Sequence, residues 1–307
     1  MNNSRWPGFI LALSLTTSGP LFSQSTPMTQ TEANSIVAPN ATLQKLSSQF
    51  KFTEGPAVSQ TGAVYFTDQP NDKIWIYNPD GTFSLFMDKT GRSNGMYFDR
   101  QGNLITCADE KNELWSISPD KTVTVLLADF NGHRFNGPND LWIDPKGGIY
   151  FTDPYYQRDY WERKKPELDG EKVYYLPKGA RQAILVDSDL KQPNGIIGTP
   201  DGKVLYVADI RDNKTYRYDI QADGMLKNRQ LYVSQGSDGM TLDNKGNLYL
   251  TGKGVTVYGP DRSKLMTIPV PAGWVGNICF AGKNNDMLFI TASESVYTLH
   301  MQVRGAR

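Results

Sequence analysis

A lone side-chain oxygen recurs at intervals of roughly 40 to 55 residues, each time in a polar loop that precedes a short apolar strand. The residues that carry it are Glu54, Asn94, Asn139, Asn194, Asp238 and Asn277. Their loops read TEGP, RSNGM, FNGPND, QPNGI, GSDGM and WVGNI. Carboxylate and amide oxygens are the ligands that hard cations prefer. The pattern therefore indicates a ring of donors for one divalent cation, most simply Ca²⁺, with Mg²⁺, Mn²⁺ or, by substitution, Zn²⁺ as alternatives.

The segments around these loops predict the elements that must position the ring. Each loop is followed by a strand, a Gly-centred turn and a second strand, as in QTGAVYFTD, DPKGGIYFTD and TPDGKVLYVAD. In the third repeat EKVYYLP and QAILVDS supply two further strands. Self-similarity of this size is typical of propeller blades. We expect an all-β, six-bladed β-propeller of four-stranded antiparallel blades, whose first strands line the axis and bring the six oxygens together.

The circle of blades needs one strand from outside the repeats. Only five outer-strand patterns are present for six blades, and the N-terminal segment LQKLSSQF can supply the sixth by pairing with the last blade. Such pairing would remove an exposed sheet edge. We predict a propeller over residues 41–307, closed by this N-terminal strand, with a short tail after about Val303.

A turn role is the competing interpretation of the ring residues. Asn-Gly and Asp-Gly are common tight-turn dipeptides, and Asn94, Asn194 and Asp238 each precede a glycine. Glu54 and Asp238 are the acidic members of the six, and two carboxylates balance the charge of a divalent cation. These two are therefore the predicted charged metal ligands, and Asn139 and Asn194 are the predicted neutral oxygen ligands. For Asn94 and Asn277 the turn role is favoured.

Composition and the N-terminus exclude some partners and predict a location. Lys plus Arg and Asp plus Glu both number 32, so no basic field exists to attract nucleic acid or an anionic membrane. Arg5 precedes an apolar stretch too short to span a bilayer, which predicts a signal peptide over 1–23 and then a flexible leader over 24–40. We expect a secreted or periplasmic protein.

Several other polar residues have structural or open interpretations. The insertion from Pro154 to Gly170 should lie on the ligand face of blade three, as a lid or as solvated decoration. Cys107 and Cys279 fall in different blades and are predicted to be free, buried thiols. The only histidines are His133 and His300, and no G-x-S-x-G elbow is present, which argues against a Ser-His hydrolase. Capping carboxylates are predicted where second strands end, at Asp68, Asp109, Asp153 and Asp209.

Four motifs in order, FTEGP, RFNGPNDLWIDPKGGIYFTDP, the PNGI to TPDGKVLYVAD segment and SDGMTLDNKGNLYL, carry a resemblance. The chain resembles the gluconolactonase, senescence-marker and luciferin-regenerating family of six-bladed propellers. The resemblance implies one axial divalent cation, usually calcium. The family's ligands match Glu54, Asn194 and Asp238, and its further asparagine matches Asn139, as a ligand or as a substrate contact.

What the resemblance implies about activity is metal-dependent hydrolysis of a sugar lactone. The cation would polarise the lactone carbonyl, and Asp238 is the predicted general base for water because Glu54 is more fully occupied as a ligand. The family's substrate arginine corresponds to Arg134. Predicted substrate-binding residues are Arg134, Asn139, His133 and Tyr155, with Tyr156 as an alternative to Tyr155. Hydrolysis of another ester or a phosphotriester, or calcium binding without catalysis, are the alternatives.

Overall fold

The structure is a computed structural model, which describes Met1 and residues 36–306. Within that part of the chain the strands form six separate four-stranded antiparallel sheets. The first strands of neighbouring sheets pack against one another around a closed circle. The predicted six-bladed β-propeller is confirmed. The only helical element among residues 36–306 is a 3₁₀ turn, Gln69–Asn71, and no helix there is long and apolar enough to cross a membrane.

The blades follow one another in sequence, and each begins with its axial strand. Blade one contains β2 (Thr53–Val58), β3 (Val64–Asp68), β4 (Lys73–Tyr77) and β5 (Phe83–Asp88), and blade two contains β6 (Ser93–Phe98), β7 (Leu104–Ala108), β8 (Glu113–Ile117) and β9 (Val123–Leu127). Blade three contains β10 (Leu141–Ile143), β11 (Ile149–Asp153), β12 (Lys172–Leu176) and β13 (Ile184–Asp187), and blade four contains β14 (Pro193–Gly198), β15 (Val204–Asp209), β16 (Lys214–Ile220) and β17 (Leu226–Val233). Blade five contains β18 (Met240–Leu242), β19 (Leu248–Leu250), β20 (Val255–Tyr258) and β21 (Lys264–Ile268), and blade six contains β22 (Val275–Ala281), β23 (Met287–Ala292), β24 (Ser295–His300) and the N-terminal β1 (Gln44–Ser47).

Both ends of the described chain pack onto the body. β1 pairs antiparallel with β24, as predicted, and so completes blade six. Ile36 is buried, and its carbonyl accepts a hydrogen bond from the Gln302 N–H, so the packed body includes residues assigned by sequence to the leader. The expected tail after Val303 is also packed, because the Ala306 N–H donates to the Leu242 carbonyl at 2.9 Å. The predicted signal peptide after Met1 and the leader up to residue 35 lie outside the described residues.

The apolar core lies between the blades rather than along the axis. One cluster joins Leu114 of blade two to Phe151 of blade three, and another joins Phe66 of blade one to Phe289 of blade six. Because side chains alternate across each strand, every blade buries both faces against its neighbours. The axis is thereby left to the polar residues that begin the first strands.

Carboxylates at the ends of second strands tie down the segments that lead into the first strands, as predicted for three blades. Asp68 accepts the Lys51 and Phe52 N–H groups, Asp153 accepts those of Asn136 and Gly137, and Asp209 accepts those of Lys191 and Gln192. Asp109 in blade two departs from this pattern and binds side chains of the insertion in blade three. The two cysteines are free, Cys107 buried and Cys279 half-buried.

Glycines let the first strands approach one another at the axis. A Cβ on Gly95 would lie 2.6 Å from the Asn139 carbonyl oxygen and 2.6 Å from Asp140 Cα. These are backbone atoms of the next blade, so relief requires blades two and three to separate. We expect Gly95→Ala to lower the free energy of unfolding by about 1–3 kcal/mol, measured by urea denaturation.

Gly273→Ala is the matched control for that substitution. Gly273 is exposed, and the nearest atom to its added Cβ would be Ser293 Oγ at 3.5 Å, an ordinary contact. Its stability should stay within about 0.5 kcal/mol of wild type. Equal stability of the Gly95→Ala and Gly273→Ala proteins would contradict close packing of the blades at the axis.

Candidate metal centre and active site

Five of the six predicted oxygen donors occupy one equivalent position at the start of the first strands. Bulges at this position turn the strands in blades one, two, four and six. Glu54, Asn94, Asn139 and Asn194 are buried, whereas Asp238 retains partial exposure. We call the five residues at this position the ring residues: Glu54, Asn94, Asn139, Asn194 and Asp238.

Asn277 lies one residue out of register with the ring, which corrects the sixfold pattern expected from sequence. The Asn277 N–H donates to Thr291 Oγ1, as the Asp140 N–H does to Thr152 Oγ1 and the Gly239 N–H does to Thr251 Oγ1. Asn277 is therefore equivalent to Asp140, the residue after the ring position. Gly276 takes the ring position in blade six and has no side-chain oxygen to offer a cation.

Asp140 and Asn277 meet across the axis, an arrangement that the sequence did not predict. Blades three and six stand opposite each other in a ring of six, and Asn277 Nδ2 donates to Asp140 Oδ2 at 3.3 Å. The other four blades have glycine at this second position, and a Cβ on Gly239 would lie 2.1 Å from Asn277 Cγ. The glycines thus make room for one acid–amide pair that fills the channel beside the ring.

Two of the ring residues hold buried oxygens without a hydrogen-bond partner. Asn94 Oδ1 and Asn194 Oδ1 are both buried and unpartnered within the described chain. Leaving a buried polar oxygen unmatched costs about 1–3 kcal/mol. Both atoms belong to the same ring, so the ring offers two amide oxygens without a protein donor among residues 36–306, in addition to its two carboxylates.

The acidic groups of the channel oppose one another electrostatically. Burial raises the pKa of Glu54 well above its usual range, and the charges of Asp238 and Asp140 raise it further. Burial also raises the pKa of Asp140 to about 7, although the hydrogen bonds from the Leu141 N–H and from Asn277 lower it. Carboxylates gathered in this way favour a bound cation. No group of three or more His, Cys, Asp or Glu that could hold a metal occurs among residues 36–306, and the ring instead mixes two carboxylates with amide oxygens.

Asp238 is held by a side chain that the sequence did not single out. Trp274 Nε1 donates to Asp238 Oδ2 at 2.6 Å. Burial raises the pKa of Asp238 to about 6, while the hydrogen bonds from Trp274 and Asn194 and the charge of Arg158 lower it. One oriented carboxylate, partly exposed beside a set of acceptors, can take a proton from a water molecule.

The insertion of blade three reaches the ring, which agrees with its predicted place on the ligand face. Asn194 Nδ2 donates to the Tyr156 hydroxyl at 3.0 Å. The Tyr155 hydroxyl instead donates to Gln157 Oε1, and its ring lies against Trp161. Tyr156, rather than the predicted Tyr155, is the tyrosine that contacts a ring residue.

The two predicted substrate residues before blade three are exposed. His133 is exposed and pairs with Phe130 in an isolated bridge. The Arg134 N–H donates to Glu167 Oε2, and its guanidinium faces the same carboxylate with the arginine side chain 51% exposed. The structure brings Asn139 into the ring but gives neither His133 nor Arg134 a contact with a ring residue among residues 36–306.

Comparison with known proteins places the chain among propellers of this type. The family model described as SMP-30/Gluconolactonase/LRE-like region matches residues 52–294. The chain belongs to this family. The matched segment begins just before Glu54 and ends after Asn277, so it contains every ring residue.

Individual relatives are similar over most of the chain. A gluconolactonase from Zymomonas mobilis is 27% identical over 303 residues, which cover 89% of this chain and 85% of the relative. A diisopropyl-fluorophosphatase from Loligo vulgaris is 29% identical over 298 residues, 86% of this chain and 93% of the relative. The solved structure of a gluconolactonase from Xanthomonas campestris superposes with a TM-score of 0.81 at 28% identity, covering 87% and 91% of the two chains.

Proposed function

We propose that this protein is a lactonase that hydrolyses sugar lactones with the help of one divalent cation held by the ring residues. The observation that carries the proposal is the pair of buried, unpartnered amide oxygens beside two carboxylates at one end of the propeller axis. Membership of the family and the likeness to gluconolactonases over most of the chain support the choice of lactones.

The donor set fits a hard cation better than a soft one. Glu54 and Asp238 supply charge, Asn94, Asn139 and Asn194 supply neutral oxygens, and no thiol or imidazole belongs to the ring. Ca²⁺ tolerates such a mixed set of oxygen ligands, so we propose Ca²⁺ as the resident ion. When bound, the ion would polarise the lactone carbonyl and stabilise the negative charge that develops on it.

The chain's own groups supply the nucleophile and the shape of the site. Asp238 takes the proton of the attacking water, because its carboxylate is oriented by Trp274 and partly open to solvent. Glu54 accepts the Gly55 N–H at 2.8 Å and is buried, which suits a fixed ligand rather than a base. Tyr156 covers the site from the insertion and limits the access of water.

A screen of substrates tests this proposal. The mature protein, loaded with Ca²⁺, should hydrolyse aldonolactones in a pH-stat assay and act on them in preference to a phosphotriester. The diisopropyl-fluorophosphatase from Loligo vulgaris among the relatives makes an organophosphate the relevant competitor. Preferential cleavage of the phosphotriester would overturn the lactonase assignment, and turnover of neither substrate with any divalent metal would favour calcium binding without catalysis.

We further propose that the protein is exported, as its N-terminus predicts.

A further inference from the structure

The insertion of blade three, residues 154–170, is held against blade two by three hydrogen bonds to Asp109. Arg158 Nε donates to Asp109 Oδ2 at 2.9 Å, the Tyr160 hydroxyl donates to the same oxygen at 2.5 Å, and Trp161 Nε1 donates to the Asp109 carbonyl at 2.9 Å. In three other blades the equivalent carboxylate caps backbone N–H groups of its own blade. Asp109 has therefore exchanged a structural role within its blade for contacts with the insertion.

The hydrogen bonds to Asp109 fix the position of Arg158 relative to the ring residues. The Arg158 guanidinium lies over the Tyr156 ring, 5.5 Å from its centroid, and the Tyr156 hydroxyl accepts the hydrogen bond from Asn194. The chain of contacts thus runs from Asp109 through Arg158 and Tyr156 to a ring residue. The charge of Arg158 is also felt at Asp238, whose pKa it lowers.

Arg158 is fixed at one edge and open at the other. Its Nε is bound by the buried Asp109, but within residues 36–306 its two terminal nitrogens have no hydrogen-bond partner, and the side chain is 26% exposed. A guanidinium presents a rigid fork of donors. Because the Asp109 contact already orders the side chain, little further entropy is lost when the free edge binds a ligand.

We infer that Arg158 is the substrate-binding arginine of this site and that its terminal nitrogens donate to neighbouring hydroxyl oxygens of a polyhydroxylated lactone. Neutral oxygens suit this guanidinium because Asp109 already balances its charge. Arg134, the arginine that the family resemblance pointed to, is exposed, pairs with Glu167 and has no contact with a ring residue within the described chain. The inference rests on the proposed lactonase function and names what makes the site selective.

The test compares a hydroxylated lactone with a bare one. Arg158→Met should lower kcat/KM for glucono-δ-lactone by about 10–150-fold, the loss expected for hydrogen bonds from a charged group, with most of the change in KM. Hydrolysis of δ-valerolactone, which has the same ring without hydroxyls, should stay within about 3-fold of wild type. Arg158→Lys keeps a positive charge beside Asp109 but lacks the two terminal guanidinium nitrogens. It should show the same loss of kcat/KM on glucono-δ-lactone and no loss on δ-valerolactone.

Arg134→Met tests the competing arginine, which pairs with Glu167. The matched control is Arg181→Met, because Arg181 is an exposed arginine of the same blade with no predicted role in the site. Arg181→Met should leave both substrates at wild-type rates. Equal losses on both lactones in both Arg158 variants, or a selective loss in Arg134→Met alone, would overturn the inference while the lactonase function stands. A wild-type protein inactive on both lactones would instead overturn the proposed function, and the inference with it.

Discussion

Asp238→Asn is expected to lower kcat for lactone hydrolysis by about 10²–10⁴-fold, the usual contribution of a general base. Asparagine has nearly the same shape, and its amide oxygen can still accept the hydrogen bond from Trp274. It cannot take a proton from water at any working pH. The measurement is a pH-stat assay at saturating Ca²⁺, with thermal unfolding to show that the fold is intact.

Trp274→Phe tests how much the orientation of the Asp238 carboxylate contributes, apart from its presence. This variant keeps the Asp238 carboxylate and an aromatic ring at position 274, but it removes the indole N–H that donates to Asp238 at 2.6 Å, together with part of the ring volume. We expect a clearly smaller loss of kcat than in Asp238→Asn. If Asp238→Asn binds Ca²⁺ and still turns over lactone within a few-fold of wild type, Asp238 is not the base.

The architecture was predictable because it repeats. One loop, two strands and a Gly-centred turn recur in every blade, so errors in one copy are corrected by the others. The insertion of blade three follows the second strand, which runs back toward the ring face, so its position there was predictable too, and Tyr156 contacts Asn194. The closing strand followed from the missing sixth outer strand, and β1 fills that place.

The ring was predictable in part, and the wrong assignment of Asn277 to it has a specific cause. A polar residue beside a glycine looks the same whether it precedes or follows it, so GNI in blade six was aligned with the NG loops although Asn277 belongs one position later. Asp140 was missed because PND is also an ordinary turn sequence. Its signal was available in alignment of the repeats, because four other blades have glycine at that position.

The contacts of the insertion could not be predicted, since no repeat defines them. Arg134 is closer to Asn139 in sequence than Arg158 is, yet it faces Glu167 on the surface. Arg158 gains its place from Asp109 of another blade, 49 residues away along the chain. Trp274 likewise reaches Asp238 from the next blade. Such contacts depend on the conformation of irregular loops, which local sequence patterns leave open.

Removal of the cation should abolish hydrolysis, and Glu54→Gln should reproduce that loss at moderate Ca²⁺ concentrations. Chelation of the wild-type protein is expected to stop lactone turnover, and added Ca²⁺ should restore it. Glu54 is one of two ring carboxylates, and ligand charge sets the affinity of calcium sites over several decades. We expect Glu54→Gln to weaken Ca²⁺ binding on the order of 100-fold or more, measured by calorimetric titration.

Glu54→Gln should have the opposite effect on the metal-free protein, which makes the test specific. In the absence of a cation, burial raises the pKa of the Glu54 carboxyl, and repulsion by the charges of Asp238 and Asp140 raises it further. A neutral glutamine removes that repulsion, so the metal-free variant should be at least as stable as metal-free wild type while it loses the rise in Tm caused by Ca²⁺. Glu294→Gln, at an exposed glutamate, is the control and should keep the full rise. An equal Ca²⁺-dependent rise in the Glu54→Gln and Glu294→Gln proteins would place the cation elsewhere, because a ligand that binds only the folded state stabilises it by an amount that grows with the logarithm of its affinity.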